Sequence, residues 1–200
     1  MKIVKSRIAV LAISGVVAAA LADQPKAASI QNCTWCHGVS GQGYGPAPRL
    51  AGQQHQYIVD QLRAFNGHTR DNPFSKQYMW GATANLSHGA ARDLASYFAA
   101  LRPEAADDGD RSLAATGKAI YESGNPAVNI VSCAVCHGPK GEGIRQIPRL
   151  AGLSYYYLKR RLNQWQEGYH QAAAAPMPQV ARELPPDVIE ALASYLSFVQ

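Results

Sequence analysis

Apolar positions along this chain fall at helical spacing in several separate stretches. Within Gln53–Phe65, Ile58, Leu62 and Phe65 share one face, and Gly52 breaks the chain ahead of them. Leu158, Leu162 and Trp165 repeat that arrangement within Tyr155–Trp165. Ser87 is placed to cap a helix running to Leu101, and its counterpart spans Pro186–Phe198, where a first-turn proline is tolerated. Ser112 is placed to cap a further helix that runs to Ser123 and leads toward a second pair of cysteines. Only nine residues separate Asp23 from Cys33, so a matching helix before the first pair is expected to be short or absent. No stretch alternates apolar and polar residues over the length of a strand, and the expected fold class is all-α.

The first segment has a different pattern. Lys2, Lys5 and Arg7 precede an uncharged run from Ile8 to Ala22, and Asp23 is the first acid. Cations followed by an apolar run ending Ala20-Leu21-Ala22 are the layout of a secretory signal peptide. The run has 15 residues, fewer than the roughly 20 a spanning helix needs. Residues 1–22 are therefore expected to be an export signal directing the chain to an oxidising compartment, with retention as a membrane anchor the alternative. Removing them lowers the formal net charge from +5 to +2. No basic stripe interleaved with aromatics remains, so nucleic acid is not an expected partner. The densest cationic cluster, Lys159-Arg160-Arg161, reads as the solvated face of a helix. With 47% hydrophobic and 16% charged residues the chain is globular, which excludes disorder. Four cysteines are too few for a disulfide scaffold.

The chain also repeats itself. Cys33-Thr34-Trp35-Cys36-His37-Gly38 returns as Cys133-Ala134-Val135-Cys136-His137-Gly138, a shift of 100. At the same shift Gly41 and Gly43 match Gly141 and Gly143, Pro48–Gly52 matches Pro148–Gly152 without a change, and Tyr57 matches Tyr157. Leu94-Ala95-Ser96-Tyr97 matches Leu192-Ala193-Ser194-Tyr195 at a shift of 98. Two such units are a tandem duplication of a small domain. The expected organisation is a signal at 1–22, a first domain at 23–101, an exposed acidic linker at 102–111 and a second domain at 112–200. Each domain has under 100 residues, a size that often needs a staple beyond its side-chain core.

Cys-x-x-Cys-His is the attachment signature of c-type haem. Two thiols one helical turn apart can add to the two vinyl groups along one haem edge, and the adjoining histidine can reach the iron. Three other chemistries use cysteine pairs. A redox dithiol wants a βαβ context that is missing here, structural zinc pairs lie much closer in sequence, and a plain disulfide leaves the histidine unexplained. Two copies in register that use every cysteine point to two covalently bound haem c groups, held by Cys33, Cys36, Cys133 and Cys136, with His37 and His137 as iron ligands. Beyond Met1 the only methionines are Met79 and Met177, at matching places in the two repeats, each seven residues before a leucine. They are the expected sixth ligands; core filling is the other use of methionine. Histidine with methionine is a ligand set of electron-transfer cytochromes, and it closes the position a substrate would occupy. His55, His68, His88 and His170 are spare and read as surface residues, with a bis-histidine arrangement as the alternative. Pro48 and Pro148 follow their histidines by eleven residues, and each carbonyl is placed to accept the Nδ1 proton and orient the ring. Arg49 and Arg149 are placed either to pair with haem propionates or to stay solvated.

On these residues, together with Leu86, Leu184 and the Leu-Ala-Ser-Tyr segments, the chain resembles the dihaem cytochrome c₄ family, two tandem class I cytochrome c domains. The resemblance covers nearly all of the chain after the signal. It implies a helical fold around one covalently bound haem per domain, two His/Met irons, and domains related by a pseudo-two-fold axis that meet near their propionate edges. It implies an electron carrier of the periplasm, not an enzyme, working between electron-donor and electron-acceptor redox proteins, a terminal oxidase among them, with at most loose membrane association. The alternative function is a haem-bearing subunit or enzyme of the dehydrogenase or peroxidase type, such as a thiosulfate dehydrogenase. Leu86-Ser87-His88-Gly89 lacks the acidic residues many members of the family carry there.

Overall fold

The computed structural model describes residues 30–171 and 176–200; the expected export signal and the stretch leading to the first cysteines lie outside them. Among the described residues the regular structure is helical, with isolated bridges in place of strands. No described helix is long and apolar enough to cross a membrane.

The first lobe holds α1 (residues 30–37), α2 (His55–Asn66), a π-helical turn at Ser75–Met79 that runs into the short α3 (Trp80–Thr83), and α4 (His88–Ala100). The second lobe opens with α5 (Ala114–Ser123), which has no counterpart among the described residues of the first, and then repeats the plan with α6 (Ala134–His137), α7 (Tyr155–Gln166), α8 (Met177–Arg182) and α9 (Pro186–Phe198). Ser87 caps α4 as its sequence position suggests, its Oγ accepting the Ala90 amide at 3.1 Å. Ahead of α5 the capping residue is Asp110 instead of Ser112. Its carboxylate accepts the amide and the hydroxyl of Ser112 at 2.8 and 2.7 Å, and one 3₁₀ turn, Arg111–Leu113, intervenes. A carboxylate suits the positive end of a helix better than a hydroxyl does.

Each lobe closes around its own apolar stripe. In the first, Ile58 and Val59 of α2 pack with Leu94, Ala95 and Phe98 of α4, and Cys33, Leu50 and Leu62 lie against them. In the second, Leu158 of α7 meets Val188, Ile189, Leu192 and Leu196 of α9, with Tyr121 of α5 fully buried beside them. The positions at helical spacing in the sequence are the ones that face inward. α5 and α9 cross closely at Gly117, where a Cβ would overlap the Ala191 carbonyl and press on the Tyr195 side chain.

The acidic stretch between the lobes is strapped down along its length. Glu104 N donates to Gln42 Oε1, Ala106 N to Gly152 O, Asp107 N to Ser197 O and Gly109 N to Ser197 Oγ. Asp108 then accepts from the Ser154 hydroxyl and the Tyr155 amide at the start of α7. The lobes also bind each other directly. The Gln53 side chain pairs with both backbone groups of Arg149, accepting its amide at 2.7 Å and donating to its carbonyl at 2.9 Å. Gln54 donates to the Glu142 and Gly143 carbonyls, and Arg160 to the Pro46 carbonyl. The basic triplet of α7 is thus no solvated face. Arg161 is buried, and Arg160 lies half-buried over the Phe74 ring of the first lobe, because α7 packs its cationic side into the join.

Two outcomes follow from this packing. Gly117→Val should destabilise the second lobe by about 3 kcal/mol, since the helices must separate to admit the branched side chain; a thermal melt that leaves this lobe unmoved would refute the close crossing. Gln53→Ala removes a two-bond link between lobes and should cost about 2 kcal/mol of denaturant stability, with the melt separating into two transitions.

Candidate functional site

Each cysteine pair sits on one helical turn. In the second lobe α6 follows directly on Cys133, and the His137 amide bonds the Cys133 carbonyl at 2.9 Å. Gly138, at φ +83°, stops that turn, and Gly38 does the same for α1 at φ +78°. All four cysteines are free thiols, with Cys33 and Cys133 half-buried and Cys36 and Cys136 exposed. Burial, and then Cys36 beside it, pushes the Cys33 thiol up, and burial pushes Cys133 up to about 11. No disulfide joins either pair. Among the described residues no three His, Cys, Asp or Glu side chains cluster to hold a metal ion, so the zinc alternative has no ligand set there.

His37 and His137 are 7% and 4% exposed, on the inner side of their turns. His37 Nδ1 lies 2.8 Å from the Pro48 carbonyl, and His137 Nδ1 lies 3.0 Å from the Pro148 carbonyl. A proline carbonyl only accepts, so Nδ1 carries the proton in both rings and Nε2 keeps its lone pair. Burial pushes both imidazoles down, so they stay neutral at physiological pH. A neutral, oriented imidazole with a free Nε2 is a metal ligand in waiting.

The loop that brings each carbonyl to its histidine depends on glycine. Gly43 N donates back to the His37 carbonyl at 2.8 Å, and the Leu50 and Ala51 amides both meet the Gly41 carbonyl. Gly43 sits at φ +74°, and a Cβ there would overlap Ala47 O and lie 2.7 Å from Pro48 O. Gly143 reproduces the arrangement against Ile147 and Pro148. Any larger residue at either position would drive off the carbonyl that orients the ring.

Met79 is half-buried at the end of the π-helical turn, with its carbonyl accepting Thr83 Oγ1 at 2.8 Å. Such one-turn irregularities concentrate at functional positions. Met177 is half-buried at the first position of α8, after Pro176. Arg49 and Arg149 both turn toward the join. Arg49 donates through its two Nη atoms to the Ala151 and Gly152 carbonyls of the other lobe, and Arg149 Nε donates to Ala151 O at 3.2 Å. Of the spare histidines, His55, His68 and His88 are exposed. His170 departs from the surface role expected of it. It is 2% exposed, its amide donates to Asp71 Oδ1 at 2.9 Å, and its Nε2 lies 2.8 Å from Asn72 Nδ2 of the first lobe.

The residues that sequence reasoning passed over are those around this contact: Tyr57, Arg70, Tyr157, Arg161 and Trp165. Only the Tyr57–Tyr157 match hinted at them. Three buried nitrogens among the described residues have no partner: Arg49 Nε, Arg70 Nε and Trp165 Nε1. All three are N–H donors, so what they lack is an acceptor. Free thiol pairs, neutral histidines with open Nε2 atoms and unanswered donors together fit a haem, whose carboxylates are acceptors and whose vinyl groups take thiols.

Comparison with known proteins gives the same picture. The cytochrome c family model matches residues 23–102 and 114–200. Cytochrome c-552 of Acidithiobacillus ferridurans is 34% identical over 94% of this chain and 84% of its own. A thiosulfate dehydrogenase electron acceptor of Stutzerimonas stutzeri is 35% identical over 84% of this chain and 78% of its own. The solved structure of Acidithiobacillus ferrooxidans cytochrome c4 superposes with a TM-score of 0.77 at 34% identity, over 84% of this chain and 98% of that one. A duplicated Cys-x-x-Cys-His lobe, repeated along the chain and matched over its length by such relatives, places the protein in the cytochrome c family as a dihaem electron-transfer cytochrome of the cytochrome c₄ type, with two covalently bound haem c groups.

Proposed function

We propose that Cys33 with Cys36, and Cys133 with Cys136, form the thioether bonds to the two haems. His37 and His137 would each supply one iron ligand, and Met79 and Met177 would each supply another. The observation that carries this reading is the histidine Nδ1 to proline carbonyl bond, made independently in each lobe. It leaves Nε2 as the one free ring nitrogen, next to a pair of free thiols. Bound there, haem c supplies an iron that gains or loses one electron. The chain's part is to hold the imidazole basic and still, to keep water from its buried face, and to present a second soft ligand, since a thioether favours the reduced state.

The protein acts as a carrier and not as an enzyme, exported to the periplasm, taking electrons from a dehydrogenase and passing them to an acceptor such as a terminal oxidase. Support comes from the surface beside each cysteine pair. Trp35, Val39 and Tyr44 in the first lobe, and Val131, Val135 and Ile144 in the second, are large apolar side chains open to solvent. Small apolar patches of this kind suit brief docking with redox partners. A relative named as an electron acceptor of thiosulfate dehydrogenase supports a dehydrogenase as the donor. The same name supports a second reading, a haem subunit held within such a complex; subunits that co-purify through gel filtration would favour it.

The purified holoprotein should contain two haems per chain and show the weak far-red band of methionine-bound ferric iron. Met79→Ala and Met177→Ala should each remove about half of that band, and the double variant all of it. One haem per chain, or a band that survives both changes, would overturn the assignment. In cell fractions the protein should appear in the periplasm, cut after Ala22.

A further inference from the structure

The turn that carries Met79 is anchored at its first residue. Ser75 is buried, and every polar group it has is engaged. Its amide donates to Asn72 Oδ1 at 3.1 Å, and its hydroxyl accepts from Asn72 Nδ2 at 2.6 Å. Its carbonyl accepts the Trp80 amide, which closes the π-helical turn around Met79. The Lys76 amide adds a bond to the Asn72 carbonyl at 3.0 Å. Asn72 is thus the cap from which the methionine turn hangs, a local side-chain to backbone role that suits asparagine.

Asn72 is buried in its turn, and its Nδ2 lies 2.8 Å from His170 Nε2 of the other lobe. Its neighbours settle how the amide is oriented. The Ser75 N–H only donates, so the Asn72 oxygen faces it, and the NH₂ group gives one hydrogen to Ser75 Oγ and the other to His170 Nε2. His170 Nε2 must then accept. The ring is neutral, with its proton on Nδ1, where Asp71 Oδ1 lies at 3.7 Å. The same Asp71 oxygen takes the His170 amide at 2.9 Å and fixes the backbone of the histidine. Electrostatics agree with this tautomer: burial, then Arg161 and Arg70, push the imidazole down to about 2, so Nε2 keeps its lone pair at physiological pH.

The repeat gives this contact its meaning. Counted from the cysteines, His170 matches Arg70; counted from the methionines, it matches Asn72. Asn72 and His170 each stand seven residues ahead of their methionine. Equivalent positions that meet face to face are what a two-fold relation between repeats produces. The two residues are no longer alike, and their difference has a direction: the asparagine gives a hydrogen and the histidine receives it. The methionines are also held differently. Met79 ends a π-helical turn capped by Asn72, whereas Met177 opens α8 directly after Pro176. Among the described residues, the polar atoms of the His170 ring face first-lobe groups, Asn72 and Asp71.

We infer that His170 of the second lobe is a positioning residue for Met79 of the first: by accepting from Asn72 it locks the cap of the methionine turn and holds that thioether against displacement, while Met177 does not depend on it. This rests on the ligand assignment above and adds to it a residue from the opposite lobe. Met79 leaves its place only if its turn moves, and moving Ser75 breaks the Asn72 cap. With His170 present, the Asn72 amide cannot turn away without stranding a buried N–H. Without it, the amide has nothing to hold it and the turn loosens.

The test is displacement of methionine by added imidazole in the oxidised holoprotein, read as loss of the far-red band. Met177→Ala leaves the band of the first lobe alone, and Met79→Ala leaves that of the second. In the Met177→Ala background, His170→Leu should lower the imidazole concentration for half displacement by about tenfold, the order expected for stranding one buried amide N–H. His170→Gln, whose side-chain oxygen can accept the same hydrogen, should return it to within about twofold of the parent, and the exposed control His88→Leu should leave it in place. In the Met79→Ala background His170→Leu should have no effect. Because a leucine in the join can impair folding, Asn72→Ser is measured as well. It keeps an oxygen for the Ser75 amide and is too short to reach His170, so it should lower the first-lobe value by a similar factor, and His170→Leu added to it should lower it no further. An unmoved first-lobe value, an equal fall in both lobes, or a glutamine that fails to rescue would overturn the inference. Haem content is read on every sample. If neither methionine variant alters the band, the ligand assignment falls and the inference falls with it. Two haems with the bands as assigned, but no effect of His170 or Asn72, leave the function standing and remove only this link.

Discussion

Each lobe is arranged around a single hydrogen bond, from a histidine Nδ1 to the carbonyl of a proline eleven residues further on. It fixes the tautomer, turns the ring, and leaves Nε2 as the one nitrogen free to bind a metal. The cysteine turn ends in a glycine at positive φ, the next loop folds back on Gly41 or Gly141, and Gly43 or Gly143 gives the carbonyl room to approach. The helices behind, α2 with α4 and α7 with α9, form the wall against which this loop is held. Small domains of this kind have little core to spare, and a covalently attached prosthetic group supplies apolar surface that side chains do not.

The two lobes do not behave as beads on a tether. The stretch between them is strapped to Gln42 of the first lobe and then along the second, and side chains of one lobe pair with the backbone of the other at Gln53, Gln54, Arg49 and Arg160. Side chain to backbone pairing holds two surfaces in register without needing a large apolar interface. For a two-centre electron carrier that matters, because transfer between centres depends on a separation that does not drift. The outer faces differ from the join: near the cysteines they offer exposed apolar residues, while the join gathers buried cations.

Much of this was legible in the residues alone. The duplication, the thiol pairs with their histidines, the matching methionines and the helix-forming stretches are all local patterns, and local patterns follow from backbone and side-chain chemistry within a few residues. The proline carbonyl could be anticipated because a fixed spacing of eleven recurs in both halves. Other residues went unrecognised for a common reason. A basic triplet on a helix looks solvated until a second lobe covers it, as happens to Arg161; a lone histidine looks superficial until Asp71 and Asn72 enclose it, as happens to His170.

The amino-acid sequence by itself determined that this is a duplicated helical protein with two haem-attachment turns, because covalent chemistry and helical periodicity are written in short-range spacing. Only the tertiary structure decided which cations are buried, where Arg49 and Arg149 direct their donors, and that Arg70 of one lobe meets Tyr157 of the other. Burial and partner choice are set by residues about a hundred positions apart, and no pattern within one repeat can encode what the other repeat will place against it.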